Sequence, residues 1–351
     1  MRVVLADPAA FTPQYDHELA SALARAGADV ELVTSPFRFG AVPEPDGYAR
    51  REAFYPLSSR LFRRSPLRLP LKALEHPFGL ARLARVPGDV LHVQWLAAPE
   101  IDALLYRSPG PNVFTAHDLL PRRTAHRENL WRRLLGRFDR AVVHSERGRE
   151  TLARLGVPSG RVRVIPHPAF RSDPARSDDG HTVLCLGGIR AYKGLADAID
   201  AVSRVDGARL LVAGDPVEPL HAHRAAAGAR AEWRLGYLSE AEIDRALGDA
   251  TVAVFPYRAE LDQSGALLRA LGAGVPAVVY DVGGLAEPVT QYGAGSVVAA
   301  GDVEELAAAL GRLLADPVAL TEARAGALRA RDALTWERSA AAHLELYREL
   351  L

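Results

Sequence analysis

The sequence alternates short apolar runs with amphipathic segments, and it does so twice along its 351 residues. Short β-branched runs are typical of buried strands, whereas apolar residues recurring every three or four positions predict helices. Because parallel strands are joined through helices in right-handed βαβ units, the alternation predicts two doubly wound α/β domains. The first series of predicted strands is 2–6, 29–34, 89–94, 112–116, 140–144 and 162–165, and the second is 182–186, 209–213, 231–235, 252–255, 277–280 and 296–298.

Proline, serine and aspartate concentrate between the two series and predict a linker. We therefore expect an N-terminal domain over 1–168, a linker over 169–180 and a C-terminal domain over 181–334. The last segment, 335–351, has the pattern of an amphipathic helix. Two facing α/β domains usually leave a cleft at the carboxyl ends of their strands, and ligands bind there.

Composition excludes several classes of protein. The chain has 43 basic and 43 acidic residues, so a nucleic-acid binder held by a general positive field is excluded. The single cysteine, Cys185, excludes an internal disulfide framework and a cysteine-rich zinc site, and it indicates a reducing compartment. Since no apolar run is long enough for a signal peptide or a membrane span, we expect a cytoplasmic protein.

The loop after the predicted strand 182–186 combines Gly187 and Gly188 with Arg190 and Lys193. The glycines allow close approach to the backbone, and the following helix offers unpaired N–H groups. Arginine can bind two phosphate oxygens at once, and lysine can neutralise a leaving group. The loop is therefore suited to a diphosphate, and an ordinary helix start with solvated charges is an equally good interpretation.

The loop after the predicted strand 252–255 contains Asp262 and Ser264, which are natural helix caps, followed by Gly265. Gly265 would let a ligand reach the first-turn amides, and a carboxylate here could accept hydrogen bonds from a sugar. A capping loop without a ligand is the alternative.

His117 follows the predicted strand 112–116, where it could donate a hydrogen bond to a ligand. A histidine that only bonds its neighbour is the alternative. We expect His92 to lie in the interior and Gln94 with Trp95 to form a substrate wall.

Seven segments, in order along nearly the whole chain, resemble a known family. They are TAHD at 115–118, VIPHP at 164–168, LGGIRAYKG at 186–194, DQSG at 262–265, AGVP at 273–276, VGGLAE at 282–287 and WER at 336–338. Together they resemble the family-4 retaining glycosyltransferases of the GT-B fold. The resemblance implies two Rossmann-like domains facing each other across a cleft, with 335–351 crossing back to the first domain.

The resemblance also implies a donor, a UDP-, GDP- or other nucleotide-diphosphate sugar, bound mainly by the second domain, with no metal or other cofactor. Arg190 and Lys193 match the family's basic pair on the diphosphate, and His117 matches the histidine facing the sugar. Asp262 or Gln263 stands at the sugar. The implied catalytic residues are His117, Arg190, Lys193 and Asp262, and the implied donor-binding residues are Gly188, Tyr237, Leu238, Gln263, Ser264, Gly265 and Ala266.

One position departs from the family pattern. Arg269 stands where the family has its second glutamate, which faces the ribose. A guanidinium group has no hydrogen-bond acceptor, so ribose recognition and the identity of the sugar stay open. This departure favours the alternative of a catalytically silent subunit that supports a partner enzyme.

In the resembled family the first domain meets the acceptor. Tyr15, Asp16 and His17 follow the first strand and, with Trp95, are the acceptor-side candidates, although capping of the helix by Asp16 is an equally good interpretation. Residues 50–85 hold nine basic and two acidic residues with interleaved leucines. This segment is either a peripheral contact with anionic lipid at the inner membrane face or a solvated arginine-rich face.

The sequence thus predicts a retaining, metal-independent glycosyltransferase that moves a hexose-type sugar to an acceptor hydroxyl. The acceptor would be a glycolipid, a polysaccharide or a small-molecule natural product. A silent GT-B subunit and a GT-B sugar epimerase are the alternatives.

Overall fold

The computed structural model describes residues 1–61, 65–119, 124, 126–259 and 261–351. The chain divides into two compact units. Unit 1 comprises Met1–Pro166 together with Trp336–Leu351, and unit 2 comprises His167–Thr335.

Unit 1 is built on a seven-stranded parallel sheet with strand order β3-β2-β1-β4-β5-β6-β7. Its strands are β1 (Arg2–Asp7), β2 (Asp29–Thr34), β3 (Ala49–Glu52), β4 (Val90–Val93), β5 (Asn112–Thr115), β6 (Arg140–Val143) and β7 (Val162–Val164). Its first helices are α1 (Pro13–Arg25), α2 (Arg68–Leu83), α3 (Pro99–Leu105), α4 (Glu128–Leu135) and α5 (Glu146–Arg154). The central strands are buried on both faces, as parallel strands covered by helices must be.

Unit 2 is built on a six-stranded parallel sheet with strand order β10-β9-β8-β11-β12-β13. Its strands are β8 (Thr182–Leu186), β9 (Arg209–Gly214), β10 (Ala231–Leu235), β11 (Val252–Phe255), β12 (Ala277–Tyr280) and β13 (Gly295–Val298). Its helices are α6 (Leu195–Ser203), α7 (His221–Ala227), α8 (Glu240–Asp249), α9 (Gly265–Gly272), α10 (Ala286–Tyr292), α11 (Val303–Ala315) and α12 (Pro317–Ala333). In both sheets the order reverses beside the first strand, and the loops at the carboxyl ends around such a point are the usual ligand sites.

The last helix, α13 (Trp336–Arg348), packs on α1 and belongs to unit 1. Its Tyr347 hydroxyl lies 2.6 Å from Nδ1 of His92, whose other ring nitrogen lies 2.7 Å from the Thr115 hydroxyl. His92 is fully buried, so the prediction that it lies in the interior is confirmed.

The segment predicted as a linker, 169–180, lies along unit 2. The backbone N–H of Ser172 donates to the Gly272 carbonyl, and Arg176 donates to the carbonyls of Leu247 and Ala250. The division between the units comes earlier, after Pro166. The polar composition of this segment therefore reflects an extended chain that is hydrogen-bonded to unit 2.

Several elements were not among the predicted ones. β3 is polar (ARRE) and lies at the edge of its sheet, so it lacks an alternating pattern. The helix α2 contains Pro77 and carries exposed leucines, both of which obscure a helical pattern. No helix among the described residues is both long enough and apolar enough to cross a membrane.

Candidate functional site

The loop between β8 and α6 places two cations over its glycine pair. Nζ of Lys193 lies 3.1 Å from where a Cβ of Gly187 would stand, and Nε of Arg190 lies 4.0 Å from the corresponding position at Gly188. Arg190 is exposed and Lys193 is half-buried, with Nζ 5.1 Å from the centre of the Tyr257 ring. The absence of a side chain at Gly187 therefore leaves room for the Lys193 ammonium group, whereas a Cβ at Gly188 would make only ordinary contact with Arg190.

Hydrogen bonds join the loop after β11 to the loop between β8 and α6. The backbone N–H of Arg258 donates to the Tyr192 carbonyl at 2.7 Å. The Arg258 guanidinium donates two hydrogen bonds, of 2.8 and 2.5 Å, to the buried carboxylate of Asp197 in the first turn of α6. These bonds raise the pKa of Arg258. Tyr280 also donates to Asp197, at 3.1 Å.

The start of α9 closes the same cluster. Ser264 caps the helix by accepting from the Leu267 N–H, which confirms one of the two predicted caps, and its hydroxyl lies 3.1 Å from that of Tyr257. The Cβ of Ala266 lies 3.3 Å from the Cβ position of Gly187, so α9 begins directly against the glycine pair. A Cβ at Gly265 would stand 3.8 Å from the Phe170 ring.

Two further predicted residues of this loop are turned toward the protein. Gln263 donates to the Gly284 carbonyl at 3.0 Å and accepts from the Ser264 N–H at 2.9 Å. Asp262 is fully buried. Contact of either side chain with a sugar stays a prediction, and in this structure both belong to the scaffold of the loop.

Arg269, the departure from the family pattern, forms a bidentate pair with Glu240. Its guanidinium nitrogens lie 2.6 and 3.0 Å from the two carboxylate oxygens. The guanidinium carbon also lies 4.5 Å from the centre of the Phe170 ring. Glu240 is the first residue of α8 and follows Tyr237 and Leu238, of which Tyr237 is 46% exposed. The sequence reasoning missed Glu240, since nothing local indicates a pairing across 29 positions.

His117 in unit 1 is held from several directions. Its Nδ1 lies 3.2 Å from Nε2 of His144, and its Nε2 lies 3.1 Å from Oε1 of Gln94. Trp95 stacks on its ring at 5.0 Å, and Tyr15 meets the ring edge-on at 4.8 Å. These contacts fix the orientation of the imidazole at the carboxyl end of β5.

Proton positions in this cluster follow from His144, which the sequence reasoning also missed. Burial lowers the pKa of His144 to about 4, so its ring is neutral at pH 7. Its Nδ1–H donates to the Ile165 carbonyl at 2.9 Å, because a carbonyl can only accept. Nε2 of His144 must then be the acceptor, and Nδ1 of His117 donates to it. Nε2 of a neutral His117 can then only accept, which requires the Gln94 amide to turn its N–H₂ group toward it.

The remaining acceptor-side residues lie on or beside α1. Trp95 donates from its indole N–H to the Thr12 hydroxyl at 2.8 Å, and Nδ1 of His17 lies 3.2 Å from the Tyr48 hydroxyl. Asp16 is buried and bonds the side chain of Asp7. The alternative that Asp16 caps the helix is wrong, because α1 begins at Pro13 and its N-cap residue is Thr12.

The helix α2 carries the central part of the basic segment 50–85. Leu67, Leu74 and Phe78 recur on one face and are each 68% exposed. Lys72 lies 4.3 Å from the centre of the Tyr55 ring, and burial lowers its pKa to about 8. Residues 62–64, which include two of the predicted basic residues, lie outside the described residues.

Two protein-family models match this chain, one over most of unit 1 and one over most of unit 2. Residues 14–169 match the family described as Glycosyltransferase Family 4, and residues 180–316 match Glycosyl transferases group 1.

Curated relatives include the glycogen synthase of Mycobacterium tuberculosis, 32% identical over 208 residues, or 56% of this chain and 48% of the relative. The 2-deoxystreptamine glucosyltransferase of Streptomyces kanamyceticus is 32% identical over 157 residues, 42% of this chain and 40% of the relative. The chain thus spans at most about half the length of these two curated relatives.

Solved structures share the fold of the whole chain. A sucrose-phosphate synthase from Thermosynechococcus elongatus superposes with a TM-score of 0.76 at 22% identity, covering 100% of this chain and 99% of the other. Anabaena HepE, solved with UDP and glucose, superposes with a TM-score of 0.73 at 17% identity, covering 100% of both chains. At these identities the likeness shows the fold, which is GT-B.

Proposed function

We propose that this chain, whose fold is GT-B, is a retaining, metal-independent glycosyltransferase that uses a nucleotide-diphosphate sugar. The sugar is of the hexose type, and it moves to an acceptor hydroxyl on a glycolipid, a polysaccharide or a small natural product. The observation that carries this proposal is the placement of Arg190 and Lys193 over a glycine pair at the carboxyl edge of the sheet in unit 2.

The two cations differ in chemistry in a way that suits a diphosphate. Arg190 is exposed and can bind two oxygens in one plane, whereas Lys193 offers a compact charge beside the α9 start. Negative charge grows on the diphosphate as the glycosidic bond breaks, and fixed cations stabilise it there. In this proposal the leaving diphosphate also helps to deprotonate the acceptor hydroxyl, on the same face of the sugar.

The remaining predicted residues take supporting roles. His117 faces the sugar, with its ring orientation fixed by His144 and Trp95. The first-turn amides of α9 bind the donor, and the backbone of the stretch that contains Tyr237 and Leu238 binds the nucleobase.

Nucleotide binding is the first experiment. The purified chain is heated with UDP, GDP, ADP or TDP in separate samples. A nucleotide at 100 times its dissociation constant stabilises the native state by about 2.7 kcal/mol, so one of the four is expected to raise Tm. No shift with any of them would contradict the donor class.

Turnover of the matching nucleotide sugar is the second experiment. Arg190→Ala and Lys193→Ala are each expected to lower kcat/KM by roughly 10²-fold, as loss of a transition-state charge partner does. Arg312→Ala is the matched control, because Arg312 is an exposed cation on α11 in the same unit, paired with Glu305. Unchanged turnover in the first two variants would overturn the diphosphate assignment. Activity is expected to persist in EDTA.

A catalytically silent subunit remains the second candidate, and the presence of Arg269 where the resembled family has a glutamate is the observation that favours it. A silent subunit would bind nucleotide but give no transfer or donor hydrolysis, with or without added acceptors. An epimerase would convert the sugar without transferring it, which product analysis by NMR distinguishes.

Peripheral membrane contact through residues 50–85 also remains a proposal. Its support is the exposed apolar row Leu67, Leu74 and Phe78 within a basic segment. Sedimentation with anionic liposomes is expected at low salt and is lost at high salt. Replacing the three apolar residues with serine should abolish sedimentation, and absence of sedimentation in the unchanged protein would refute the contact.

A further inference from the structure

Three arginines of unit 1 lie at the strand edge opposite to the one that carries His117. Arg107 follows α3, Arg133 lies in the last turn of α4, and Arg137 follows α4. Because α3 leads into β5 and α4 leads into β6, the ends of these helices lie at the amino ends of the two strands. Arg107, Arg133 and Arg137 are called the arginine cluster below.

Two guanidinium groups of the arginine cluster share one carbonyl oxygen. Nη1 of Arg107 and Nη1 of Arg137 each lie 2.8 Å from the Tyr106 carbonyl oxygen, so the two nitrogens are no farther apart than twice that distance. Arg137 also donates to the Ala103 carbonyl at 2.6 Å, and Arg107 donates to the Leu104 carbonyl at 3.1 Å. These bonds hold two positive charges at fixed positions beside the end of α3.

The charges of the arginine cluster are not balanced by carboxylates in the part of the chain that the structure describes. None of the three arginines forms an ion pair with a described aspartate or glutamate. Burial, and then the charges of Arg107 and Arg133, lower the pKa of Arg137. The carboxylate of Asp139, the nearest along the chain, accepts the backbone N–H of Asn112 at 2.8 Å. The carboxyl end of α3 contributes only about half a negative charge against three positive ones.

The groups at the arginine cluster indicate which kind of anion fits. A guanidinium binds two phosphate oxygens in one plane, and each guanidinium here keeps N–H donors that the carbonyls do not use. A phosphate monoester carries about −1.5 to −2 charges at pH 7, so it suits several cations better than a carboxylate does. Leu104 and Leu105, directly before Tyr106, are 59% and 47% exposed. They offer an apolar surface to the organic part of an ester.

We propose that the arginine cluster binds the phosphate group of a phosphate monoester, with the organic part of the ester against Leu104 and Leu105. Two sources share this chemistry, a soluble phosphorylated metabolite and a lipid with a phosphate-monoester headgroup. The site belongs to unit 1 and contains none of the donor-binding residues, since Arg190 and Lys193 belong to unit 2. It therefore goes beyond the proposed function and does not depend on it.

The soluble source is tested with glycerol 3-phosphate, titrated into the full chain while the arginine Nε–H signals are followed by NMR. The unchanged protein is expected to bind it, and Arg107→Gln and Arg133→Gln should each weaken binding about 3–10-fold. Arg132→Gln is the matched control, because Arg132 is an exposed cation of the same helix that pairs with Glu128 at 3.2 Å. Its affinity should equal that of the unchanged protein. Arg190→Ala tests whether the probe binds to the donor loop instead.

Arg133 keeps this test independent of folding. Arg137→Gln would remove the bonds to the carbonyls of Tyr106 and Ala103, so a loss of binding in that variant could come from a loosened α3. The structure gives Arg133 no such bond among the described residues. Arg133→Gln should therefore have the same Tm as Arg132→Gln and differ from it only in binding.

The lipid source is tested by sedimentation with phosphatidylcholine vesicles that contain phosphatidic acid, a monoester, or phosphatidylglycerol, a diester, at equal surface charge. The protein used carries Leu67→Ser, Leu74→Ser and Phe78→Ser, so that the exposed apolar row of α2 does not contribute. A lipid source predicts more sedimentation with phosphatidic acid, and Arg133→Gln should remove that preference. A soluble source predicts equal sedimentation with the two kinds of vesicle.

The outcomes decide the proposal. Glycerol 3-phosphate binding that depends on Arg107 and Arg133 supports it, and so does a preference for phosphatidic acid that depends on the same residues. The proposal is overturned if glycerol 3-phosphate does not bind and the two kinds of vesicle sediment the protein equally or not at all. It is also overturned if Arg132→Gln weakens binding as much as Arg133→Gln, or if Arg190→Ala abolishes binding that Arg133→Gln retains.

Discussion

Gly194 allows the two donor loops of unit 2 to touch. It ends the loop after β8 in a left-handed conformation, with φ 69° and ψ 32°. A Cβ built there would overlap the Pro256 carbonyl oxygen, at well under the 3.0 Å that real Cβ atoms keep. Gly194→Ala should therefore push the two loops apart by roughly 1 Å, and this is a displacement that can cost about 10²-fold in rate.

Gly293 provides a matched control in the same unit. Its backbone is also left-handed, with φ 63° and ψ 40°, but its nearest neighbour is the flexible end of Arg329 at 3.4 Å. A Cβ in this conformation costs about 1–2 kcal/mol in either variant. Only Gly194→Ala adds backbone overlap, for which about 1–3 kcal/mol more is typical.

We expect Gly293→Ala to lower the free energy of unfolding by about 1–2 kcal/mol and to leave nucleotide affinity and turnover unchanged. Gly194→Ala should lower it by about 2–5 kcal/mol and lower turnover per folded molecule by about 10²-fold. Urea denaturation followed by circular dichroism gives the first quantity, and donor turnover corrected for folded fraction gives the second. Equal effects of the two substitutions on both quantities would refute the argument that loop contact positions the cations.

Three further predictions concern charges. Burial lowers the pKa of His144 and His343 to about 4, below the ordinary 6.5. The free energy of unfolding should therefore fall as pH decreases from 6.5 to 4, by up to about 1.4 kcal/mol per pH unit for each histidine. Urea denaturation across this pH range measures the change, and a flat profile would contradict the prediction. Asp197→Asn weakens the bidentate bond to the half-exposed Arg258. It should cost about 1–2 kcal/mol of stability, measured by denaturation, and about tenfold in affinity for the nucleotide that binds the chain, measured by calorimetry. A loss of stability alone would show that the pair does not position the loop. Arg269→Ala should cost only about 1 kcal/mol of stability, because its carboxylate partner is half-exposed, and should weaken binding of the same nucleotide about 3–10-fold. Unchanged nucleotide affinity would show that this pair does not contribute to the nucleotide site.

The sequence predicted those parts of the fold that depend on local pattern. The strand at 182–186 was placed at its observed bounds because a strand covered on both faces is a continuous apolar run between turn residues. β3 was not predicted, because it is an edge strand stabilised by backbone pairing with β2. Its side chains are mostly exposed, so they give no apolar pattern. In α12, alanines and arginines give little contrast between the faces of the helix.

The candidate site shows the same limit: features that are close in sequence could be predicted, whereas hydrogen bonds between separate elements could not. The loop at 187–194 could be identified because it follows a strand, and its cations and glycines are close in sequence. The hydrogen bonds that decide what each group does join distant positions, as between His117 and His144, or between Asp7 and Asp16. No periodicity encodes such pairs, because they form only when separate elements reach the same edge of a sheet.

Arg269, which stands where the resembled family has a glutamate, gives a misleading expectation about nucleotide binding when it is considered without its partner Glu240. A guanidinium cannot accept a hydrogen bond from a hydroxyl, which by itself argues against nucleotide binding. The fold brings the Glu240 carboxylate onto that guanidinium, and the two oxygens retain lone pairs after accepting one bond each. Under the proposed function, the Glu240 carboxylate thus still supplies hydrogen-bond acceptors near the exposed Tyr237. The Arg269–Glu240 pair has a net charge of zero, whereas a lone glutamate would carry a negative charge. A neutral pair repels a diphosphate less than a lone carboxylate does, so the departure at position 269 is compatible with a working donor site.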